Sequence, residues 1–548
     1  MVATSSSHRV PSLVEKIGQM LVVGFPEGRE GFAKLEAAVG DFAAGNVILF
    51  TRNMGAARST WELVRDVRAL VEGRTGIVPF VCVDQEGGTV VRLRNGVTPV
   101  PGAMAQAAAV GGGSFSLADV RGLGRLVGSE LLALGINWNL APVADVNVNP
   151  SNPVIGVRSY GEDPRKVADL AAAFAAGLGD AGVLAAAKHF PGHGDTAVDS
   201  HLGMPLVPHD LRRLEAVELP PFRRLIAEGV AAVMTSHVRF PAVEPDELPA
   251  TLSRRVIQGL LRERLGFKGL VCTDCMEMKA VSGLMPEAAV RAVKAGVDLI
   301  DISHTLELQR ASARAILEAV LSGEIPESRI DESWARIAAA KARLKAPPAS
   351  WEESESLLAT AASLDFSRRL SHASISLIAP GKGFPLAPGS LYVDVEPANL
   401  TGAEDGSGGR GAVADSLRAL AGTGGAPEVG VLSLPLDPEP SAVAAVLAEA
   451  AGRDVAVGTY DAFRHPGQAE LVRALAAAAE RGGKRFAVMS MRSPYDLRLF
   501  PEIEARGAAF SCAYEYTPLS ARSAAEFMLG LAPAAGRCPV SASSRGHA

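Results

Sequence analysis

The sequence is poor in the features that mark several large classes of protein. Aromatic residues make up only 5% of its 548 residues, which argues against long stacking surfaces for polymers. Lys and Arg total 54 while Asp and Glu total 60, so the formal net charge is -6 and no nucleic-acid partner is expected. The first apolar stretch, residues 21–25, is far too short to cross a bilayer, and no membrane span is expected.

Cysteine is also scarce. The five cysteines are an odd number at low density, which fits a reduced compartment better than a disulfide-stabilised secreted protein. Residues 1–11 are polar and lack the apolar core of a signal peptide. We therefore expect a cytoplasmic protein, with export by another route left open; the sequence indicates no oligomeric state.

What the sequence does contain is a repeating α/β pattern. Its 548 residues exceed what one ordinary core holds, and 48% apolar with 21% charged residues is typical of a soluble globular enzyme. Short apolar runs alternate with helical stretches from about residue 14 to 345, which indicates a (β/α)8 barrel of the TIM type. The apolar runs are residues 46–50, 78–83, 136–143, 184–189, 231–237, 269–274 and 297–302, and the helical stretches include residues 60–72, 119–134, 164–179 and 253–265.

A second α/β pattern follows the barrel, and the two are separated by a segment that contains Pro347 and Pro348. The boundaries that we predict are 1–345 for the catalytic barrel, 346–363 for a linker, 364–540 for a smaller αβα sandwich domain and 541–548 for a disordered tail. Strands of the second domain are expected at residues 429–434, 454–458 and 485–489. The glycine-rich residues 402–411 are expected to form a flexible loop.

Polar side chains with catalytic potential follow the apolar runs directly. They are Asp84, Asp145, Lys188, His189, His237 and Asp274. In a barrel the carboxyl ends of all strands converge on one face, where the active site forms. In an open doubly wound sheet they would spread along an edge, so the clustering favours the barrel.

The segment from Lys188 to His201 combines a strand end with a glycine-broken loop. Asp199 and His201 are two residues apart, so the carboxylate can orient the imidazole of a general acid/base on a mobile loop. Two other interpretations are a metal site, although the spacing matches no standard zinc motif, and a purely structural loop histidine.

Asp274 follows another apolar run and is a candidate nucleophile for a covalent glycosyl-enzyme intermediate. Cys272 and Cys275 beside it spell Cys-x-x-Cys, but a redox pair would open a helix, whereas Cys272 lies in a strand. Asp84 and Arg92 flank a paired-glycine turn, which suits recognition of sugar hydroxyls or an acetamido group; a structural Asp–Arg clamp is the alternative.

Taken together, these motifs resemble those of glycoside hydrolase family 3 β-N-acetylglucosaminidases over most of residues 14–344. The segments that carry the resemblance are residues 84–88, 152–161, 188–201 and 273–274. The dipeptide Cys275-Met276 departs from many relatives, which carry another acid or a small residue after the nucleophile. The second domain, which contains residues 492–496, resembles the αβα domain of two-domain members of the family.

The resemblance implies roles for individual residues. Asp274 would be the nucleophile and His201 the acid/base with Asp199 as its partner. The residues that would hold N-acetylglucosamine in the −1 subsite are Asp84, Arg92, Arg158, Lys188 and His189. The family also implies no metal or organic cofactor, and a substrate drawn from N-acetylglucosamine-containing glycans or muropeptides.

The function that the sequence predicts is therefore retaining exo-hydrolysis of terminal β-linked N-acetylglucosamine, from peptidoglycan fragments in cell-wall recycling. A phosphorylase is an alternative, because a histidine base repels an anionic acceptor less than a carboxylate would. A β-glucosidase of the same family and a catalytically silent sugar-binding protein are further alternatives.

Overall fold

The computed structural model describes residues 10–199, 203–397, 403–404 and 411–542. In chain order the strands of the first unit are β1 (Leu21–Val23), β2 (Asn46–Leu49), β3 (Phe80–Val83), β4 (Gln85–Gly87), β5 (Val90–Val91), β6 (Trp138–Asn139), β7 (Leu184–Phe190), β8 (Ala232–Thr235), β9 (Leu270–Thr273) and β10 (Ile300–Ile302). Those of the second unit are β11 (Ser376–Ala379), β12 (Leu391–Val395), β13 (Gly430–Leu434), β14 (Val455–Thr459), β15 (Phe486–Ser490) and β16 (Ala509–Cys512).

The helices connect these strands and cover both sheets. Up to residue 374 they are α1 (Leu13–Gln19), α2 (Gly28–Phe42), α3 (Ala57–Thr75), α4 (Ala103–Gly111), α5 (Leu117–Ala133), α6 (Pro164–Ala181), α7 (Leu211–Ala216), α8 (Leu219–Ala227), α9 (Lys279–Ser282), α10 (Glu287–Ala295), α11 (Leu306–Leu321), α12 (Glu327–Lys341), α13 (Trp351–Glu355) and α14 (Ala361–Ser374). Later come α15 (Ala412–Leu420), α16 (Pro440–Glu449), α17 (Pro466–Arg481), α18 (Pro501–Ala505) and α19 (Pro518–Met528).

Within the described ranges, eight parallel strands form the predicted barrel, in the order β10-β1-β2-β3-β6-β7-β8-β9. The ring closes between β9 and β10 through a bridge of Cys272 to Leu299, where the Thr273 amide donates to the Leu299 carbonyl at 3.0 Å. The barrel prediction is confirmed. The sequence pattern did not identify β1 as a barrel strand, because only three of its residues pair and so short a run carries little periodic signal.

Two other local predictions differ in detail from the structure. The predicted helix over residues 253–265 is present as a π-helix, Arg255–Arg264. The segment predicted as a linker contains α13, whose Trp351 is buried and packs edge-on against Trp61 with ring centroids 6.0 Å apart. An apolar face on α13 therefore anchors this segment to the barrel.

The second unit is built on a mixed sheet. Over residues 376–512 the strand order is β11-β16-β15-β14-β12-β13, with β11 antiparallel to β16 and the other neighbours parallel. Helices α15 and α19 pack together, as do α16 and α17. The prediction of a second, smaller α/β unit is confirmed, although β11, β12 and β16 had not been identified. Of the glycine-rich loop only residues 403, 404 and 411 are described, and residues 543–548 of the predicted tail lie outside the described residues.

The second unit sits against the barrel loops that follow the strands. Glu515 accepts a hydrogen bond from the Gly102 amide at 2.6 Å, and the Tyr495 hydroxyl accepts one from Asn147 Nδ2 at 3.0 Å. An apolar cluster that includes Met104 and Tyr514 draws on both units. In the part of the chain that the structure describes, no helix combines the length and apolar character needed to cross a membrane.

Buried asparagines hold neighbouring barrel strands together. Asn46 on β2 donates from Nδ2 to the carbonyls of Gln19 and Leu21 at 2.8 and 3.1 Å. Its Oδ1 accepts from the Phe80 amide at 3.2 Å, so one side chain joins β1, β2 and β3. A buried main-chain group that loses its only side-chain partner pays its full desolvation cost, which makes this amide a structural requirement.

We expect the substitution Asn46→Leu to lower the free energy of unfolding by about 2–4 kcal/mol, because it leaves the buried carbonyls of Gln19 and Leu21 and the Phe80 amide without the Asn46 side chain. Urea denaturation followed by circular dichroism measures this change. The control is Lys294→Ala, which removes an exposed ion pair with Glu324 and should change stability by less than about 0.5 kcal/mol. Equal stability of the Asn46→Leu variant and the wild type would contradict the assignment.

Candidate active site

A cavity of about 400 Å³ opens at the carboxyl ends of the barrel strands, a volume suited to a small ligand. Its charged and polar lining side chains are Arg52, Asp84, Glu86, Arg92, Arg158, Lys188, His189, His193, Asp274, Glu277, Lys279, Asp301, Ser303 and His304. Ala403 of the second unit also lines it, and its carbonyl accepts a hydrogen bond from Arg92 Nη1 at 2.9 Å. The six predicted residues Asp84, Arg92, Arg158, Lys188, His189 and Asp274 thus share one site.

Five of the lining residues form a chain of alternating charges. Arg92 lies 3.4 Å from Asp84, and Lys188 Nζ donates to Asp84 at 2.8 Å and contacts Glu86 at 2.6 Å. Arg158 binds both oxygens of Glu86, with Nη2 at 2.7 Å and Nε at 2.9 Å. The residues come from the end of β3, the β4–β5 hairpin, a turn at Gly156–Arg158 and strand β7. We name this set the ion network: Arg92, Asp84, Lys188, Glu86 and Arg158.

The ion network keeps its members charged despite burial. Burial alone would raise the pKa of the Glu86 carboxyl, but Arg158 and Lys188 outweigh it and hold that pKa well below its usual range. The balance is the same for Asp84, whose pKa is lowered chiefly by Lys188 and Arg92 against the effect of burial. Burial would lower the pKa of Lys188, yet Asp84 and Glu86 raise it. The cavity therefore presents fixed ionic donors and acceptors that suit sugar hydroxyl and amide groups.

Asp145 organises the two histidines that follow β7. Its carboxylate lies 2.7 Å from His189 Nδ1 and accepts from the His193 amide at 2.6 Å. Burial would raise the pKa of Asp145, but the charge and hydrogen bond of His189 lower it, so the carboxylate is ionised and His189 Nδ1 carries the proton. The His189 ring lines the cavity in the orientation that this contact fixes.

Asp274 directly follows β9 and lines the same cavity. Its Oδ1 accepts from the Cys275 amide at 2.7 Å, and its own amide donates to the Thr235 carbonyl at 3.3 Å. Buried His237 fixes the next turn of chain, because its ring nitrogens contact Thr251 Oγ1 at 2.9 Å and the Cys275 carbonyl at 3.0 Å. His237 thus supports the main chain beside Asp274. Burial raises the pKa of the Cys275 thiol, so it is not a thiolate near neutral pH.

The loop after β7 is tied down at several points before it reaches Asp199. Asp195 contacts His209 Nε2 at 2.5 Å, and Thr196 is fully buried with its carbonyl accepting from Asn149 Nδ2 at 3.1 Å. Asp199 is buried, and its carbonyl accepts from the Gly203 amide at 3.0 Å. His201, the predicted acid/base, lies outside the described residues, so its pairing with Asp199 stays a prediction.

Several site residues were not assigned roles from the sequence. Glu86 lies within residues 84–88, which carry the family resemblance, but its position two residues after Asp84 does not mark it as the second carboxylate that holds Lys188. Asp145 follows an apolar run, and the sequence indicates no partner for its side chain. Asp301 interrupts the apolar run of β10, which was a usable signal. Burial raises the pKa of Asp301 well above its ordinary value, and the Ser303 hydroxyl donates to it at 2.7 Å.

The histidines of the site have protein partners rather than a shared metal-binding geometry. His193 Nδ1 contacts Thr196 Oγ1 at 2.8 Å, while His189 Nδ1 is bound to Asp145. Over the described ranges, no group of three or more His, Cys, Asp or Glu side chains is arranged to hold a metal ion. The geometry instead provides a carboxylate, an ion network and imidazoles around one small cavity.

Comparison with known proteins gives consistent matches. Residues 12–340 match the sequence model of the "Glycosyl hydrolase family 3 N terminal domain". The chain is 38% identical to the solved glycoside hydrolase family 3 beta-N-acetylglucosaminidase from Paenibacillus sp. str. FPU-7, over 97% of this chain and 99% of that one, with a TM-score of 0.87.

Two curated relatives are enzymes of one named activity. The chain is 38% identical over 280 residues to the beta-hexosaminidase of Methylococcus capsulatus, covering 51% of this chain and 80% of that protein. It is 34% identical over 340 residues to beta-hexosaminidase A of Pseudoalteromonas piscicida, covering 58% of this chain. The match to this second relative spans only 56% of the relative's length.

We expect His193 to make the protein less stable in acid. Burial and the neighbouring His189 lower the pKa of His193 to about 4, whereas an unfolded chain binds the proton near about pH 6.5. Because the folded pKa is the lower one, stability is complete above pH 6.5 and falls as the pH drops from about 6.5 to about 4, by about 3 kcal/mol. In His193→Gln, which cannot take up this proton, the free energy of unfolding should fall less over that window. Parallel declines in the two proteins would contradict the prediction.

Proposed function

This chain belongs to glycosyl hydrolase family 3, and we propose that it is a retaining exo-β-N-acetylglucosaminidase that releases terminal β-linked N-acetylglucosamine. The observation that carries the proposal is the position of Asp274, at a strand end within a cavity of about 400 Å³ whose wall is the ion network. A covalent glycosyl-enzyme intermediate needs a carboxylate beside fixed side chains that can bind the hydroxyl and acetamido groups of the sugar. The names of the relatives support the choice of sugar.

The ion network and His189 are proposed to hold the sugar ring before the reaction. The ionised carboxylates of Asp84 and Glu86 accept hydrogen bonds from hydroxyl groups, and Lys188, Arg92 and Arg158 donate to hydroxyl or acetamido oxygens. Because their mutual ion pairs already fix these side chains, little reorganisation is needed when substrate binds. Orientation of the anomeric carbon towards Asp274 follows from that fixed frame.

The covalent steps use Asp274, His201 and Asp199. In the first step a carboxylate oxygen of Asp274 bonds to the anomeric carbon, the bond to the leaving oxygen breaks, and His201 gives its proton to that oxygen. In the second step water bonds to the anomeric carbon, its proton passes to His201, and the Asp274 ester breaks. Asp199 stabilises the imidazolium form of His201, which gives the first proton and forms again when water loses its proton.

The natural substrate is proposed to be a muropeptide or another N-acetylglucosamine-terminated glycan. This part of the proposal is supported by the family resemblance of residues 188–201. The cavity, at about 400 Å³, fits one terminal sugar better than an internal stretch of polymer. Exo-cleavage is the expected consequence.

Asp274→Ala should lower the turnover of an aryl β-N-acetylglucosaminide by about four orders of magnitude or more, because no covalent intermediate can form. Circular dichroism and the unfolding midpoint should match the wild type, since Asp274 is only part-buried. Asp66→Ala, which removes an exposed carboxylate on α3, is the control and should be fully active. Normal turnover by the Asp274→Ala variant would reject the proposed nucleophile.

Product analysis with and without phosphate tests the acceptor in the second step. We expect the product N-acetylglucosamine in both conditions, at the same rate, and much slower turnover of the matching β-glucoside. Formation of N-acetylglucosamine 1-phosphate would show that the enzyme is a phosphorylase and not a hydrolase. Faster turnover of the β-glucoside would show that glucose, and not N-acetylglucosamine, is the preferred sugar.

A further inference from the structure

Arg464 of the second unit reaches across to the barrel beside the active-site loop. It ends the turn Ala462–Arg464 that follows β14. Its Nη2 donates to the main-chain carbonyl of Asn152 at 3.5 Å, and its guanidinium lies 5.2 Å from the centre of the Phe463 ring. The side chain is half-buried at the boundary of the two units. It therefore contacts the barrel at a defined point.

The side chain of Asn152 fixes the start of the loop after β7 through hydrogen bonds. Its Nδ2 donates to the His193 carbonyl at 2.8 Å and lies 3.3 Å from Thr196 Oγ1. Its Oδ1 accepts from the amides of Val154 and Ile155 at 3.0 and 2.8 Å, which fixes the amide in both directions. Arg464 thus contacts Asn152, and Asn152 in turn contacts the loop that carries Asp199.

The charges around Arg464 are mainly negative. The carboxylates of Asp461, Asp199 and Glu404 and the guanidinium of Arg492 all act on it. Arg492 already pairs with Asp461 and lies 2.9 Å from Glu404. Among the described residues, Arg464 thus supplies one of two positive charges beside three negative ones. Loss of that positive charge leaves buried Asp199 in a more negative surrounding, which repels the carboxylate.

We infer that Arg464 is a positioning residue through which the second unit holds Asp199, and the base of its loop, in place for the reaction. The inference rests on the proposed acid/base role of the Asp199 loop. It gives the second unit a part in catalysis without a residue that touches the sugar. The positive charge of Arg464 stabilises the Asp199 carboxylate, and its hydrogen bond to the Asn152 carbonyl holds Asn152 in place.

The test compares Arg464→Met, Arg464→Gln and Arg464→Lys in the full-length chain. Gln keeps a donor for the Asn152 carbonyl but lacks the charge, and Lys keeps the charge. The measurement is kcat/KM for aryl β-N-acetylglucosaminides with leaving groups from poor to good. We expect Met and Gln to lose about ten- to a hundredfold on the poorest leaving group and less than about threefold on the best. Lys should recover most of the loss.

Arg473→Met is the matched control. Arg473 also donates to one main-chain carbonyl, that of Leu499 at 3.0 Å, and also lies over a phenyl ring, that of Phe500 at 5.8 Å. It is about half exposed and pairs with Glu502. This variant should keep wild-type kcat/KM for every leaving group, which separates the effect of Arg464 from the loss of any arginine in the second unit.

The variant Asp199→Asn separates failure of this inference from failure of the proposed function. One outcome rejects the role of Arg464 and keeps the acid/base role of the Asp199 loop. In that outcome Asp199→Asn shows the leaving-group dependence, while Arg464→Met and Arg464→Gln either lose no activity or lose it equally for all substrates. If Asp199→Asn itself shows no such dependence, the acid/base assignment and this inference fall together. Adding Arg464→Met to Asp199→Asn should cause no further loss on poor leaving groups, and a multiplied loss would also overturn the inference.

Discussion

The pairing of buried charges is the constraint on which the catalytic face of this protein depends. Three cations and two carboxylates of the ion network lie close together in a small cavity, and removal of Glu86 would leave buried Arg158 without the carboxylate that binds it at two points. Satisfying all five requires the end of β3, the β4–β5 hairpin, the turn at Gly156–Arg158 and strand β7 to adopt one mutual arrangement. The same requirement that fixes these loops also prepares the groups that a sugar would meet.

The histidine side of the cavity follows the same logic with hydrogen bonds. One oxygen of Asp145 contacts His189 Nδ1 and the other accepts a hydrogen bond from the His193 amide. A single carboxylate therefore fixes the orientation of both residues. His237 acts on the opposite side by holding the carbonyl of Cys275, next to Asp274. The reactive side chains are therefore each supported by a buried polar neighbour, as preorganised sites require.

The second unit completes the site from above the barrel. Ala403 gives its carbonyl to Arg92 at one end of the ion network, and Glu404, next to it, is held by Arg492 and by the Tyr516 hydroxyl at 2.6 Å. Glu515 fixes the Gly102 amide on the barrel side. The contacts that reach the barrel use the Ala403 carbonyl and the Gly102 amide, and main-chain groups leave no distinctive motif in a sequence.

Much of the site could be predicted because Asp84, Lys188 and Asp274 each stand at or just after the end of an apolar run, and a parallel barrel brings such ends together. Glu86 could not be assigned in the same way. It lies in an irregular hairpin with a register shift between Gln85 and Gly87, where simple alternation does not say which face a side chain takes. Strand β1 was missed for a related reason, since three paired residues give too little pattern.

The sequence by itself determined the alternation of strands and helices, the polar residues at several strand ends and the family that those residues resemble, because these follow from local periodicity and short motifs. Only the tertiary structure decided which charge each charged residue faces. Lys188 meets Asp84 across 104 residues of chain, and Arg158 meets Glu86 across 72. Such pairs exist only once the barrel has closed and excluded water. Ion pairing that outweighs the effect of burial then keeps Asp84, Glu86 and Lys188 charged.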